Sequence, residues 1–234
     1  MPVSDLIDPT AALGPVARCW DLGVDYRTAA GVAPALIDVD ATFERHRLSV
    51  IAGPSGSGKS SLLRVLAGLH RPRTGTVEVD GVILTRLRTG ALRRLRRRTM
   101  GIVLQNPVDN LVEYLTVAEQ IELAARLRGA DPAGAAALLE AVGLADRATS
   151  HLAELSGGEQ QRVAFAAAAI GEPTLLLADE PTAQLDAAAG LRLVESMRHL
   201  VDLGATLVVS SHDPTVIAAA DDLVMLRDGR VVAT

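Results

Sequence analysis

Short apolar runs bounded by turn residues alternate along this chain with helical stripes, and the alternation predicts an α/β fold with parallel strands. Leu48 to Ala52 reads as a buried strand. A glycine-rich turn follows it, then a helix from about Ser60, on which Leu62, Leu66 and Leu69 share one face and Pro72 lies just past the end. Over Thr76 to Leu84, Val77 and Val79 alternate with polar residues and Asp80-Gly81 supplies a hairpin turn. Leu175 to Ala178 and Ala205 to Ser210 read as two more buried strands; between them Leu193, Met197 and Leu200 form a helical stripe ended by Gly204. From about Thr116 to Leu152 the pattern is helical and alanine-rich, broken at Gly129 to Pro132 and at Gly143. That stretch predicts a helical insertion splitting the α/β core. There is no internal repeat.

Composition narrows the function classes. The chain has 234 residues, 49% hydrophobic and 22% charged, with a formal net charge of −5. Those values suit one globular domain or two tightly coupled subdomains and exclude disorder. A pI near 5.5 argues against nucleic acid as a partner. Cys19 is the single cysteine, so neither an internal disulfide nor a cysteine metal site is expected. Met1 to Pro15 lacks a basic cap followed by an apolar core, so no secretory leader is expected. The longest apolar stretch, Val163 to Ile170, is far shorter than the roughly 20 residues of a membrane helix. A cytosolic chain that reaches the membrane only through a partner is the expectation. Arg86 to Arg98 packs seven arginines into thirteen residues, which could attract phosphate or acidic lipid or could be a solvated helix face. Among 23 cationic side chains, Lys59 is the one lysine.

Lys59 lies in Gly53-Pro54-Ser55-Gly56-Ser57-Gly58-Lys59-Ser60, a full match to G-x-x-x-x-G-K-[ST] between an apolar strand and a helix. The glycines let successive backbone N–H groups converge on phosphate oxygens, and the helix aims its positive end at the same anion. Lys59 can reach the β- and γ-phosphates, and the Ser60 hydroxyl can ligate Mg²⁺. Leu175 to Glu180 is a strand ending in two carboxylates, at the edge of a parallel sheet where the P-loop also lies. Asp179 suits Mg²⁺, and Glu180 suits a general base for an attacking water. Ser156-Gly157-Gly158 opens a further helix, with Ser156 as cap and two glycines leaving N-terminal amides uncovered for an anion.

Together the P-loop, Leu155 to Gln161 and Leu175 to Asp186 resemble the nucleotide-binding domain of an ABC transporter ATPase, over about Tyr26 to Gly229. The resemblance implies a P-loop NTPase of the ABC-ATPase fold. That fold has a RecA-like core with a mostly parallel sheet, a small antiparallel β subdomain and an inserted helical subdomain. The domain would cover 16–234, with the core at about 16–104 and 156–234 and the helical subdomain at about 105–155. It also implies further site residues: Gln105 as the glutamine that contacts Mg²⁺, His212 at the γ-phosphate, and Asp186 at a dimer interface. Ser61 adjoins the P-loop, where threonine is usual. Tyr26, 27 residues before Gly53, matches the aromatic that stacks on adenine; a core strand tyrosine, or Trp20 in that role, stays open.

By the same resemblance two such domains sandwich two ATP molecules, each P-loop facing the other domain's Ser156-Gly157-Gly158. Closing and opening would drive an integral membrane permease from the cytoplasmic face of the cell membrane. Leu175 to Thr182 and Met100 to Gln105 resemble the lipoprotein-releasing and macrolide-export group, whereas Ala183-Gln184 and Ala167 depart from that pattern. The alternative is a regulatory ABC ATPase that acts on a cell-envelope enzyme through a membrane partner and moves no substrate. No nucleic-acid partner is implied.

Overall fold

The computed structural model describes residues 14–29 and 31–232, so most of the segment on which the leader reading rests lies outside the described residues. The described part opens with two long antiparallel strands, β1 (Ala17–Thr28) and β2 (Gly31–Phe43), then enters β3 (Leu48–Ala52) and helix α1 (Lys59–Leu66). The hairpin of β4 (Thr74–Val79) and β5 (Val82–Ile83) follows, and Asp80 and Gly81 both turn with positive φ, as the Asp-Gly signal requires. Next come α2 (Thr89–Thr99), β6 (Met100–Val103), α3 (Val117–Arg128), α4 (Ala135–Ala141) and α5 (Gly157–Ala169). The chain closes with β7 (Leu175–Asp179), α6 (Ala187–Asp202), β8 (Leu207–Ser211), α7 (Pro214–Ala218), β9 (Asp222–Arg227) and β10 (Arg230–Val231).

The strands form two sheets. A four-stranded antiparallel sheet runs β2-β1-β4-β5, and a six-stranded sheet runs β10-β9-β3-β8-β7-β6. Within the larger sheet all neighbours from β9 to β6 are parallel, and only β10 is antiparallel. Both faces of its central strands are covered, so these strands read as unbroken apolar runs. Alternate residues serve different cores. Leu48, Val50, Leu176, Ala178, Leu207 and Val209 join α3 to α6 in one apolar cluster. Ile51, Leu175, Leu177 and Val208 face α1, α2 and the antiparallel sheet in the other. The α/β expectation holds, with a mostly parallel sheet beside a small antiparallel one.

Two local readings need adjustment. Helix α1 stops at Leu66, and Leu69 is half exposed instead of continuing the Leu62–Leu66 face, because Gly68 turns the chain with φ 62°. The strand expected over Ala205 to Ser210 runs from Leu207 to Ser211, since Ala205 still bonds back to Leu200 at the end of α6. The alanine-rich stretch does hold helices α3 and α4, and Gly129 and Gly143 leave them with positive φ. No helix among the described residues is long and apolar enough to cross a membrane.

Asp221 ties the lower end of the large sheet together. One oxygen, Oδ2, accepts from the Leu48 N–H at 2.8 Å and from Arg198 at 2.8 Å, joining β3, α6 and the start of β9. Burial pushes this carboxyl up, but the Arg198 bond, the Leu48 N–H and the charges of Arg198 and Arg47 outweigh it and hold it below the usual carboxylate range. Its contribution is therefore fully present above the unfolded carboxylate pKa and is lost as pH falls through the lowered folded value. Asp221→Asn is expected to lower unfolding free energy at pH 7 by about 1–3 kcal/mol. In urea titrations that difference should shrink steadily toward acid pH.

Candidate functional site

The carboxyl ends of β3, β7 and β8 lie side by side, and the polar groups excluded from the apolar strand interiors collect there. The P-loop leaves β3 at Gly53, with φ 152°, and curls into α1 through Gly58, with φ 104°. Both positions also need the missing side chain: a Cβ on Gly53 would sit 2.2 Å from the Leu226 carbonyl, and one on Gly58 2.5 Å from that of Ala35. Pro54, Ser55 and Gly56 form the exposed outer bend, whereas Ser57, Lys59 and Ser61 are buried.

Lys59 has a fully matched environment. Its ammonium donates to the carbonyls of Gly53 at 2.9 Å and Pro54 at 3.1 Å, and pairs with Glu180 Oε1 at 3.0 Å. Three donors thus meet three acceptors around a point charge that is 5% exposed. Glu180 reaches this position because its backbone turns left-handed, with φ 45°, directly after β7, a conformation uncommon for a non-glycine residue. Its N–H donates to both the Ser210 carbonyl and the Ser210 hydroxyl at 3.0 Å. Its other carboxylate oxygen lies 2.9 Å from His212 Nδ1.

One residue earlier, Asp179 accepts from the Ser60 hydroxyl at 2.8 Å and from the Ser210 hydroxyl at 2.6 Å. Lys59, Ser60, Asp179, Glu180 and His212 are therefore one connected constellation. Ser210 joins the Asp179 carboxylate to the Glu180 backbone N–H and was not singled out in the sequence. Its position, at the end of a buried strand beside β7, was the available signal.

The residues present suit a phosphate-bearing ligand and a hard cation. The Ser57 hydroxyl is buried in the bend with no hydrogen-bond partner among the described residues, as an oxygen aimed at an absent anion would be. Ser60 and Asp179 supply adjacent oxygen donors of the kind Mg²⁺ prefers.

The remaining sequence-derived residues stand apart. Gln105 is exposed on the segment after β6. Asn110 clamps that segment: it accepts from the Leu104 N–H and donates to the Ile102 carbonyl, both at 2.8 Å. Tyr26 is half buried in β1, with its ring 5.2 Å from that of His70. Ser156 caps α5 in a reciprocal arrangement with Glu159, which takes both the Ser156 N–H at 2.8 Å and its hydroxyl at 2.7 Å. Those bonds hold the Glu159 carboxyl below its ordinary range, with Arg147 and Arg162 adding to the effect and burial opposing it. Gly157 faces open space, but Gly158 has a different task from leaving amides uncovered: a Cβ there would meet the Ala189 Cβ at 2.9 Å. Asp186 caps α6 by accepting from the Ala189 N–H at 2.8 Å. Among the described residues no hydrogen bond or ion pair links Ser156 to Gly158, or Asp186, to the P-loop.

Ser210→Ala removes a donor to Asp179 and an acceptor for the Glu180 N–H while leaving the strand intact. It is expected to cost about 1–2 kcal/mol of stability, measured by urea unfolding.

Comparison with known proteins gives the family. The sequence profile described as ABC transporter matches residues 36–183. A macrolide export ATP-binding/permease protein of Paracoccus denitrificans (strain Pd 1222) is 38% identical over 223 residues, covering 94% of this chain but only 33% of that protein. An uncharacterised ABC transporter ATP-binding protein of Thermotoga maritima is 42% identical over 187 residues, 78% of this chain and 79% of its own length. Among solved structures, the dimeric structure of a bacterial ABC transporter cassette superposes with a TM-score of 0.81 at 31% identity, covering 93% of this chain and 97% of that one. A dimeric post-hydrolysis state of the same cassette, bound to ADP and Pi, gives 0.80 at 32% identity over the same shares. With its P-loop, paired carboxylates and histidine set in that fold, the chain belongs to the ABC transporter family as an ATP-binding domain.

Proposed function

We propose that this chain is the ATP-binding and ATP-hydrolysing part of an ABC transporter, closing as a dimer on ATP to drive a membrane permease of the exporter or lipoprotein- and peptide-release type. The observation that carries this reading is the convergence of Lys59, Glu180 and His212, linked at 3.0 and 2.9 Å, on the end of the P-loop. The nucleotide phosphates would lie in the bend from Gly53 to Ser60, with Ser57 donating to them and Lys59 exchanging its carbonyl and carboxylate partners for phosphate oxygens. Ser60, Asp179 and Gln105 would hold Mg²⁺, which when bound neutralises charge on the phosphates.

Freed from Lys59, Glu180 takes a proton from the water whose oxygen bonds the γ-phosphorus as the bridging P–O bond to the β-phosphate breaks. His212 keeps the Glu180 carboxylate oriented and faces the departing phosphate. Tyr26 would stack on the adenine, with His70 behind it. Ser156 to Gly158 and Asp186, remote from their own P-loop, would meet the second domain. For the Ser156 hydroxyl to donate to a partner's phosphate, it must leave Glu159.

The relatives named for export and permease fusion support a membrane partner and attachment at the cytoplasmic face. The exposed apolar side chains of Leu104, Val108 and Tyr114 around Gln105 offer it a surface. We read 16–104 and 156–234 as the core and 105–155 as the helical subdomain that passes the motion on. The relatives give no support to the regulatory alternative.

Glu180→Gln is expected to cut ATP turnover by roughly a hundredfold or more while ATP still binds and the closed dimer accumulates on gel filtration. Near-normal phosphate release by that variant would falsify the general-base role. Lys59→Ala should weaken ATP binding by about tenfold or more in equilibrium titration.

A further inference from the structure

The arginine run of the sequence forms α2 and its approach, and its charges have no counterpart in the fold. No acidic residue occurs between Asp80 and Asp109. Removing the seven positive charges of Arg86 to Arg98 from the chain's −5 leaves −12 elsewhere, so the molecule is strongly polarised. Despite that surplus of acid, none of the seven makes an ion pair among the described residues, although eight other Arg or Lys side chains do. Leu92 and Leu95 pin one side of α2 to the core. At about 100° per residue, Arg93, Arg94, Arg96, Arg97 and Arg98 then cover about 200° of the remaining circumference. Four of these five are exposed, and among the described residues only Arg96 has a bond, to the Gly68 carbonyl at 3.2 Å.

We infer that this arginine face binds the phosphate headgroups of an anionic lipid bilayer. The inference rests on the proposed attachment beside a membrane permease. The face is continuous with the segment offered to that partner: Arg93, Arg96 and Arg97 line a cleft of about 430 Å³ together with Ile102 and Asn110, the clamp of the Gln105 segment. Three features favour a bilayer over an acidic protein segment. Arg94 and Arg98 lie outside the cleft and extend the charge over the outer face of α2. The cleft's inner arginine, Arg128, already donates to the Met100 carbonyl at 2.9 Å and the Ala168 carbonyl at 3.0 Å. Beside it, Leu127 is 63% exposed and gives the rim an apolar side chain to insert next to the headgroups. Arginine's planar fork suits bidentate phosphate contacts, and no aromatic residue lies in the run to stack on nucleic-acid bases.

The test is co-sedimentation of the full chain with vesicles of phosphatidylcholine alone and of phosphatidylcholine with phosphatidylglycerol, at low and high salt. Preference for the phosphatidylglycerol vesicles by about a hundredfold or more, weakened by salt, is expected. The combined substitution of Arg93, Arg94, Arg97 and Arg98 by Gln should weaken that binding by about a hundredfold. ATP hydrolysis and thermal unfolding should stay unchanged in the same preparation. Should that variant misfold, Arg94→Gln with Arg98→Gln, both outside the cleft, should still lose about tenfold.

Equal binding to the two vesicle types, or undiminished binding by the variants, would overturn the inference. So would binding to polyglutamate without binding to the anionic vesicles, which would assign the face to an acidic protein segment. A chain that hydrolyses ATP but ignores anionic vesicles refutes the lipid face alone. One that binds them but hydrolyses nothing refutes the functional reading alone.

Discussion

Burial of the central strands on both faces is the constraint from which the rest follows. Val50, Leu177 and Val208 have no exposed side on which to place a polar atom, so polar groups are pushed to the strand ends. Parallel pairing then puts the ends of β3, β7 and β8 on the same edge. The P-loop, the two carboxylates, Ser210 and His212 are neighbours for that reason, although 159 positions separate Gly53 from His212 in sequence. The same rigid sheet holds Glu180 in its left-handed turn, a strain that an isolated loop would relax.

The one lysine among 22 arginines gains a physical rationale from its surroundings. A tetrahedral ammonium can share its three protons among Gly53, Pro54 and Glu180, which approach from different directions at 2.9 to 3.1 Å. A planar guanidinium is longer and directs its donors in one plane, so it could not fill that position without leaving acceptors unmet. Arginine serves elsewhere because surface positions set no such condition.

Much of the catalytic edge was legible in the chain, and the reasons are local. The P-loop and the Leu175–Glu180 strand combine fixed residue types with an unmistakable apolar run, and both fell where expected. The Asp80-Gly81 turn and the breaks at Gly129 and Gly143 were legible because backbone sterics act at single residues. Long-range effects were not. Strands β1 and β2 escaped direct reading because register shifts between Cys19 and Asp25 interrupt the alternation that identifies a strand. Ser210 looked like any strand-end serine until β8 was seen beside β7. The role of Gly158 depended on Ala189, which lies on another helix.

That last contact reaches further than packing. Gly158 and Ala189 bring the first turns of α5 and α6 so close that there is no room for a side chain between them. Ser156 and Asp186, which cap those two helices, are thereby parts of one lever. A tilt of α5 would therefore press on the first turn of α6. Two surfaces that sequence presents as separate motifs would thus arrive at a second molecule together, in a single mechanical event.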